Sequence, residues 1–382
     1  MDNLRTAVYN RAMHLHEREN WTDFTWDDRV IAPLLGDARF AQGRLIGKLE
    51  DVGFGLSCEI EVDSLSAEVI ASSSIEGVQL DAAKVRSSVA RRLGVDQLAG
   101  DADTQNVDGA VDVVLDAVGG RYDPLTAERL FSWHAALFPT GYSGLHKIEV
   151  AAFRTSPMEV VSGPIGHEKV HFKAPPAQSV PDLMEDFLAW FNAEASCDLL
   201  VKAGLAHLHF LTVHPFEDGN GRIARALTEM LLAQSDSSPR RFYSMAGYMA
   251  AHRNEYYEAI ERAQKGAPDV TRWLSWFLSA CKAAIEASLV EVGAVLSRSA
   301  LWASLGSIAL NGRQRKVLSL LLGNFEGKLT AKKWAKLCKV SPDTALRDIN
   351  DLIDKGVLER DPAGGRSTSY SLCKRTDEEA KL

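Results

Sequence analysis

One stretch of the chain gathers side chains that together could handle a phosphate. It reads His214-Pro215-Phe216-Glu217-Asp218-Gly219-Asn220-Gly221-Arg222-Ile223-Ala224-Arg225. Glycines at 219 and 221 permit backbone conformations that other residues resist. Successive N–H groups in such a turn, at the start of a helix, make an anion nest. Arg222 and Arg225 lie three apart on one helical face and can grip phosphate oxygens in a fork. Asp218 is a hard oxygen ligand beside the nest, and Mg²⁺ commonly takes one or two carboxylates plus substrate phosphates. His214 stands at the lip, with an ordinary pKa suited to taking a hydroxyl proton. Base, metal ligand, nest and cationic clamp within twelve residues describe phosphoryl or nucleotidyl transfer.

Other chemistries fit the string less well. The Gly-Lys-Ser/Thr ending of a Walker A loop is missing. Asp218 to Glu229 has the length of an EF-hand loop, but Ile223 stands where that loop requires glycine. His207, His209 and His214 lack the i, i+4 spacing with a base Glu that helical zinc sites use. The plain alternative is a helix–turn–helix corner with a capping Asn and two solvated arginines. It suits any one residue better than it suits the whole string.

A second polar string, Ser72-Ser73-Ser74-Ile75-Glu76-Gly77, ends a helix expected over about 64–76. Ser72 and Glu76 share a face, and Gly77 suits the position after the last turn. An anion in a last turn opposes the helix dipole by about 0.3–1 kcal/mol. Glu76 therefore calls for a partner elsewhere or for solvent.

The elements that must position these groups are mostly helices. A helix with Leu205, Leu208, Leu211 and Thr212 leads into His214, and a second is expected from near Arg222, with Ile223, Ala226, Leu227, Met230 and Leu231 on its apolar face. Asp27 caps an amphipathic helix running to Leu49, with Pro33 near its first turn and Gly53 and Gly55 breaking the run. Further helices are expected at 81–93, 108–118, 126–137, 179–193, 198–213, 249–264 and 268–290, and residues 1–20 read as a helix or an arm. Met158 to Pro176 has short β-branched runs, including Val160-Val161, around a Gly-Pro-x-Gly turn, and reads as a β-hairpin.

Charge divides the chain. Residues 313–375 carry 14 Lys/Arg and 7 Asp/Glu, whereas the whole chain has a net charge of −8. The segment reads as a basic winged helix: RQRKVLSLLL, then a helix–turn–helix with Ser341 as N-cap and Gly356 at its end, then a two-stranded wing with a Gly-Gly tip. Lys332, Lys333, Lys336, Lys339, Arg347 and Arg366 could meet a phosphate backbone. Asp343, Asp348, Asp351 and Asp354 on the second helix oppose that, and a protein-docking or dimer-stabilising role is the alternative.

The chain has 382 residues, 46% hydrophobic and 25% charged, enough for two or three domains of ordinary globular composition. Disordered, collagen-like and disulfide-scaffold classes are excluded. No apolar window is long enough for a membrane helix, no signal peptide is read, and five scattered cysteines fit a reducing compartment, here the cytoplasm.

HPFEDGNGRIAR is similar, without departure, to the signature His-Pro-Phe-x-Asp/Glu-Gly-Asn-Gly-Arg-x-x-Arg of the Fic family. The resemblance implies a mainly α fold: an N-terminal helical region with an inhibitory motif (1–107), a Fic-like catalytic core with a β-hairpin flap (108–292) and a winged helix (300–375). It implies AMP transfer from ATP, with Mg²⁺, to Ser, Thr or Tyr hydroxyls of target proteins and of the chain itself. His214 would be the general base and Asp218 the Mg²⁺ ligand. Phe216, Glu217, Asp218, Gly219, Asn220, Gly221, Arg222 and Arg225 would line the nucleotide; Phe216 within that run reads as packing that sets the loop. Tyr257 would meet the adenine side, where Gln264 stands in place of the family's Asn. Val160 and Val161 would belong to the flap that aligns a target strand. Ser72, Glu76 and Gly77 resemble the family's inhibitory motif Ser/Thr-x-x-x-Glu-Gly/Asn, whose Glu pairs with the second arginine of the signature, here Arg225. Two alternatives stay open: a relative that removes AMP, and a DNA-binding regulator with a nucleotide-sensing core. A homodimer and DNA, through the winged helix, stay open as partners.

Overall fold

The structure is a computed structural model. It describes residues 14–50, 52–100, 103–162, 169–238, 240–305, 308–322, 325, 327–362 and 368–373. Contacts divide the chain into a unit up to Val292 and a unit from Gly293.

The first unit is built on two helices that share one core. Helix α7 (Leu199–Val213) is buried on every side, and α8 (Asn220–Ser235) packs along it. A helix apolar all round has no solvent face to set its rotation, so its neighbours enclose it. The numbering follows chain order: α1 (Asp28–Glu50), α2 (Phe54–Ile75), α3 (Ala82–Arg92), α4 (Gln105–Gly119), α5 (Ala127–Leu137) and α6 (Val180–Asn192) precede α7. After α8 come α9 (Met245–Ala251), α10 (Arg253–Gln264) and α11 (Thr271–Leu305), the last belonging to this unit up to Val292. Val62, Leu65 and Val69 of α2 pack with Val85 and Val89 of α3, Val107 and Val111 of α4, and Ala233 of α8. The N-terminal helices thereby share apolar packing with the end of α8.

Two hairpins stand on this body. Strands β1 (Tyr142–Ser143) and β2 (His146–Lys147) pair antiparallel, as do β3 (Glu159–Ser162) and β4 (Lys169–Lys173), with a register shift between Val160 and Val161. The Gly-Pro-x-Gly turn between β3 and β4 lies outside the described residues, as does the side chain of Val161.

Several boundaries differ from expectation for identifiable reasons. Helix α2 starts ten residues earlier, because Gly53 is its N-cap and Gly55 lies in its first turn, where glycine costs little. Helix α8 begins at Asn220, with Gly219 at the cap. The helix expected at 249–264 is two helices that meet at His252. Of the segment read as a helix or an arm, residues 1–13 lie outside the described residues, and Leu15–Glu17 form a 3-10 turn.

The second unit runs α12 (Gly312–Leu322), β5 (Leu329–Thr330), α13 (Ala331–Cys338), α14 (Pro342–Asp354), β6 (Leu358–Arg360) and β7 (Ser369–Leu372). Its antiparallel sheet has the order β5-β7-β6. Val317, Leu318, Trp334, Ile349, Leu352 and Tyr370 form its core. The Ser341 hydroxyl caps α14 through the Thr344 N–H, and Gly356 follows that helix with positive φ. Two of the aspartates read as repelling phosphate are otherwise engaged. Asp348 is buried against Arg313, and Asp351 takes Gln314 and Lys355. The Gly-Gly tip and Arg366 lie outside the described residues.

The first unit encloses a histidine that titrates far from its usual range. His209 on α7 is 3% exposed within Trp21, Phe24, Phe187 and Trp190, and its Nε2 has no hydrogen-bond partner. Burial lowers its pKa to about 3. The folded state therefore resists the proton that the unfolded chain takes below about pH 6.5, so stability present above that pH is lost as pH falls toward 3. His209→Phe should remove about 2 kcal/mol of the acid destabilisation between pH 7 and pH 5. Urea midpoints of both proteins at the two pH values measure this; equal losses would refute it.

Candidate active site

The site begins where α7 stops. Pro215 lacks an N–H and disfavours right-handed helix at the residue before it. His214 accordingly takes a left-handed conformation, φ 52° and ψ 59°. The carbonyl of Leu211, which a helix would bond to residue 215, is freed and instead accepts His214 Nδ1–H at 3.3 Å and Gln264 Nε2–H at 3.1 Å. A carbonyl can only accept, so the proton sits on Nδ1 and the Nε2 lone pair is left for chemistry. Burial lowers the His214 pKa to about 4, assisted by Arg154 and opposed by the Leu211 carbonyl, Glu76 and Asp218. The imidazole is thus neutral near pH 7, the state a base needs.

The turn that follows is held by groups within it and beneath it. Asn220 binds the Phe216 backbone twice, accepting from its N–H at 3.0 Å and donating to its carbonyl at 2.8 Å. The Phe216 ring is fully buried, stacked on His134 with centroids 4.3 Å apart. The burial of the ring agrees with its reading as packing that sets the loop. His134 accepts the Ala151 N–H at Nδ1 (3.1 Å) and donates from Nε2 to the Asp218 carbonyl (3.1 Å). Gly219 has φ +82°, and a Cβ there would lie 2.8 Å from Phe138, so the position demands glycine twice over.

Around the first turn of α8 the polar groups converge. The leading N–H groups of a helix have no partners within it. Arg222 lies over Phe138, and its Nε is a buried donor without an acceptor, as is Arg225 Nη1. The Asp218 carboxylate accepts from the Gly219 N–H and the Ser143 hydroxyl, and lies 3.9 Å from Arg222. Among the described residues no group of three or more His, Cys, Asp or Glu could hold a metal by itself. A single carboxylate beside an anion nest suits Mg²⁺ that takes its other ligands from phosphates and water. Glu217 is turned aside, accepting the Glu149 N–H at 3.0 Å.

The end of α2 reaches this turn. Glu76 is the C-cap, Gly77 follows with φ +81°, and the N–H groups of Gly77 and Val78 bond the carbonyls of Ser74 and Ser73. This is a Schellman ending. Glu76 Oε1 accepts from Arg225 Nη2 at 2.7 Å, while Arg225 Nε donates to the Ser72 hydroxyl and Nη2 to the Ser72 carbonyl, both at 2.9 Å. A Cβ on Gly221 would lie 2.0 Å from Glu76 Oε1, so the carboxylate sits directly on the nest. Tyr257, part-exposed, donates its hydroxyl to the Ile75 carbonyl at 3.2 Å and so holds the same helix end. Gln264 is buried, its amide donating to the Leu211 carbonyl beside His214. Val160 is exposed on β3.

The structure therefore brings together His214, Asp218, Gly219 to Arg222, Arg225, Ser72 and Glu76. Sequence reasoning passed over Arg154, His134 and Ser143. The signals were slight: an arginine within apolar Ala151-Ala152-Phe153, and a histidine among aromatic residues at 131–138.

A model of the Fic/DOC family matches residues 124–232, and one described as a domain of unknown function, DUF4172, matches residues 14–95. The chain is similar to a probable protein adenylyltransferase of Aquifex aeolicus, 31% identical over 27% of this chain and 30% of that one. It is also similar to the protein adenylyltransferase Fic of Culex quinquefasciatus, 27% identical over 50% of this chain and 35% of that one. The chain thus spans about a third of the length of these curated relatives. A crystal structure of a Fic family protein from Desulfovibrio desulfuricans aligns with a TM-score of 0.49 and 21% identity, over 90% of this chain and 97% of that one.

The double bond between Asn220 and Phe216 makes a stability test. Asn220→Ala strands two buried backbone groups at about 1–3 kcal/mol each. The urea midpoint should fall by an amount worth about 2–6 kcal/mol with an unchanged slope; a midpoint equal to wild type would refute the staple.

Proposed function

We propose that this chain, a Fic-family protein by its domain at 124–232, is a self-inhibited protein adenylyltransferase that moves AMP from ATP to Ser, Thr or Tyr hydroxyls of target proteins and of itself. The observation that carries this reading is a neutral histidine with a free Nε2 next to a helix N-terminus flanked by two buried arginine donors without acceptors. In the reaction the acceptor oxygen attacks the α-phosphorus, the bond to the β-phosphate oxygen breaks, and pyrophosphate leaves. His214 Nε2 takes the hydroxyl proton. The N–H groups of the first turn of α8 and the Arg222 guanidinium steady the phosphate oxygens as charge shifts. Mg²⁺, when bound at Asp218, supplies charge neutralisation on the phosphates. Exposed Val160 suits a hairpin that aligns a target segment by strand addition.

The position of Glu76 supports the self-inhibited reading. Its carboxylate occupies Arg225 and covers Gly221, so a phosphate group that needs Arg225 must displace it. We read the second unit as a winged helix from its element order, and its role as protein docking.

Two experiments test the reading. Labelled AMP incorporation is compared at equal concentration for wild type, Glu76→Gly, His214→Ala and the double variant. Glu76→Gly should gain about 100-fold, equivalent to about 2.7 kcal/mol of differential stabilisation. His214→Ala should lose about 10²–10⁴ in rate with ATP affinity retained, and the double variant should be silent. Equal incorporation in wild type and Glu76→Gly would make the motif a helix end and no more. Removal of AMP from labelled protein by wild type, without transfer, would favour the reverse reaction.

The second experiment concerns the metal. Asp218→Ala should abolish activity together with its Mg²⁺ dependence. An active variant with the wild-type Mg²⁺ titration curve would remove Asp218 from that role.

A further inference from the structure

Arg154 is 2% exposed, and among the described residues it has no acidic partner in any ion pair. All of its hydrogen bonds go to main-chain carbonyls. Nε donates to His214 O at 2.7 Å, Nη2 to Pro175 O at 2.7 Å and to Val213 O at 3.3 Å, and Nη1 to Ser156 O at 3.0 Å. Its own backbone N–H bonds Pro215 O at 2.8 Å. A buried cation without a counter-ion is a costly way to satisfy carbonyls, and an amide side chain has only two N–H donors. What the planar fork supplies is reach in several fixed directions at once. It binds both sides of the left-handed turn at His214 and both roots of the β3–β4 hairpin, since Ser156 precedes β3 and Pro175 follows β4.

We propose that Arg154 is the positioning residue that locks the His214 turn to the roots of the β3–β4 hairpin, so that the base and the element holding the acceptor keep one relative placement. The clamp acts through His214 and touches no substrate. Its kinetic consequences rest on the proposed transfer reaction; its structural consequence at His214 does not.

The test uses the full chain with Arg154→Lys and Arg154→Met. Both should bind ATP within about twofold of wild type, because the nest is intact. Both should lose about 10²-fold in kcat, the scale expected when a base is misplaced by about 1 Å. The groups facing His214 are Glu76, Asp218, the Leu211 carbonyl and Arg154. Arg154→Met removes the one cation among them, so the acidic limb of the kcat profile should move to higher pH. Arg154→Lys keeps the charge and should leave that limb in place. NMR titration of the His214 ring, assigned by its loss in His214→Ala, should show the same upward move in Arg154→Met without any turnover. If wild type transfers no AMP but the His214 titration still moves, the reaction fails and the clamp stands. An unmoved His214 titration in a folded Arg154→Met, or wild-type kcat in Arg154→Lys, would overturn the clamp. If Arg154→Met does not fold, the kcat of Arg154→Lys decides alone.

Discussion

The structure depends on one constraint: the chain must reverse between two buried helices without stranding polar backbone. Helices α7 and α8 lie side by side in the core, and only seven residues, 214–220, carry the chain from one to the next as far as the first residue of α8. A peptide group buried without a partner costs about 1–3 kcal/mol. Water cannot serve most of this turn, so side chains serve it instead. Asn220 satisfies Phe216 at both ends, His134 satisfies the Asp218 carbonyl, and Arg154 satisfies Val213 and His214. Each polar obligation of the backbone thereby fixes a point of the site's geometry.

The same logic explains why a carboxylate tolerates its place at the end of α2. The dipole disfavours it by about 0.3–1 kcal/mol, whereas a charge-assisted hydrogen bond of the kind it makes with Arg225 is worth about 1.5–3 kcal/mol. The pair wins, with solvent trimming the margin, since the Glu76 side chain keeps 27% of its surface. Arg225 is nearly enclosed, at 2%. Removal of Glu76 leaves its guanidinium with Ser72 alone on that side, ready for another anion.

The histidine, the glycines and the arginines of the 214–225 string were legible because their chemistry depends on local spacing. So was Gly77, whose positive φ is a property of one residue after a helix. The partners of the Phe216 ring were not legible, because local spacing does not reveal what an inward-facing ring packs against. Its ring is claimed by His134 and Phe153, more than sixty residues earlier in the chain. Helix α2 was read too short for a related reason: its Gly53 and Gly55 sit where a helix begins, and only the packing of Ile60 to Val69 shows that the helix had already started. The inward turn of Asp348 was hidden in the same way, since Arg313 lies thirty-five residues before it.

The sequence by itself determined the local chemistry: a histidine before a proline, a glycine-rich turn at a helix N-terminus, two arginines one turn apart, and an acid at a helix end. Spacing along one element decides these, because helix and turn geometry repeat. Tertiary structure decided which distant groups answer them wherever no motif named the partner. The family resemblance pairs Glu76 with Arg225 across 149 residues, whereas Arg154 meets His214 across 60 through packing alone. Such pairings arise from the way helices pack around α7 and α8, where burial forces each stranded polar group to find a partner. No period in the sequence encodes that partner.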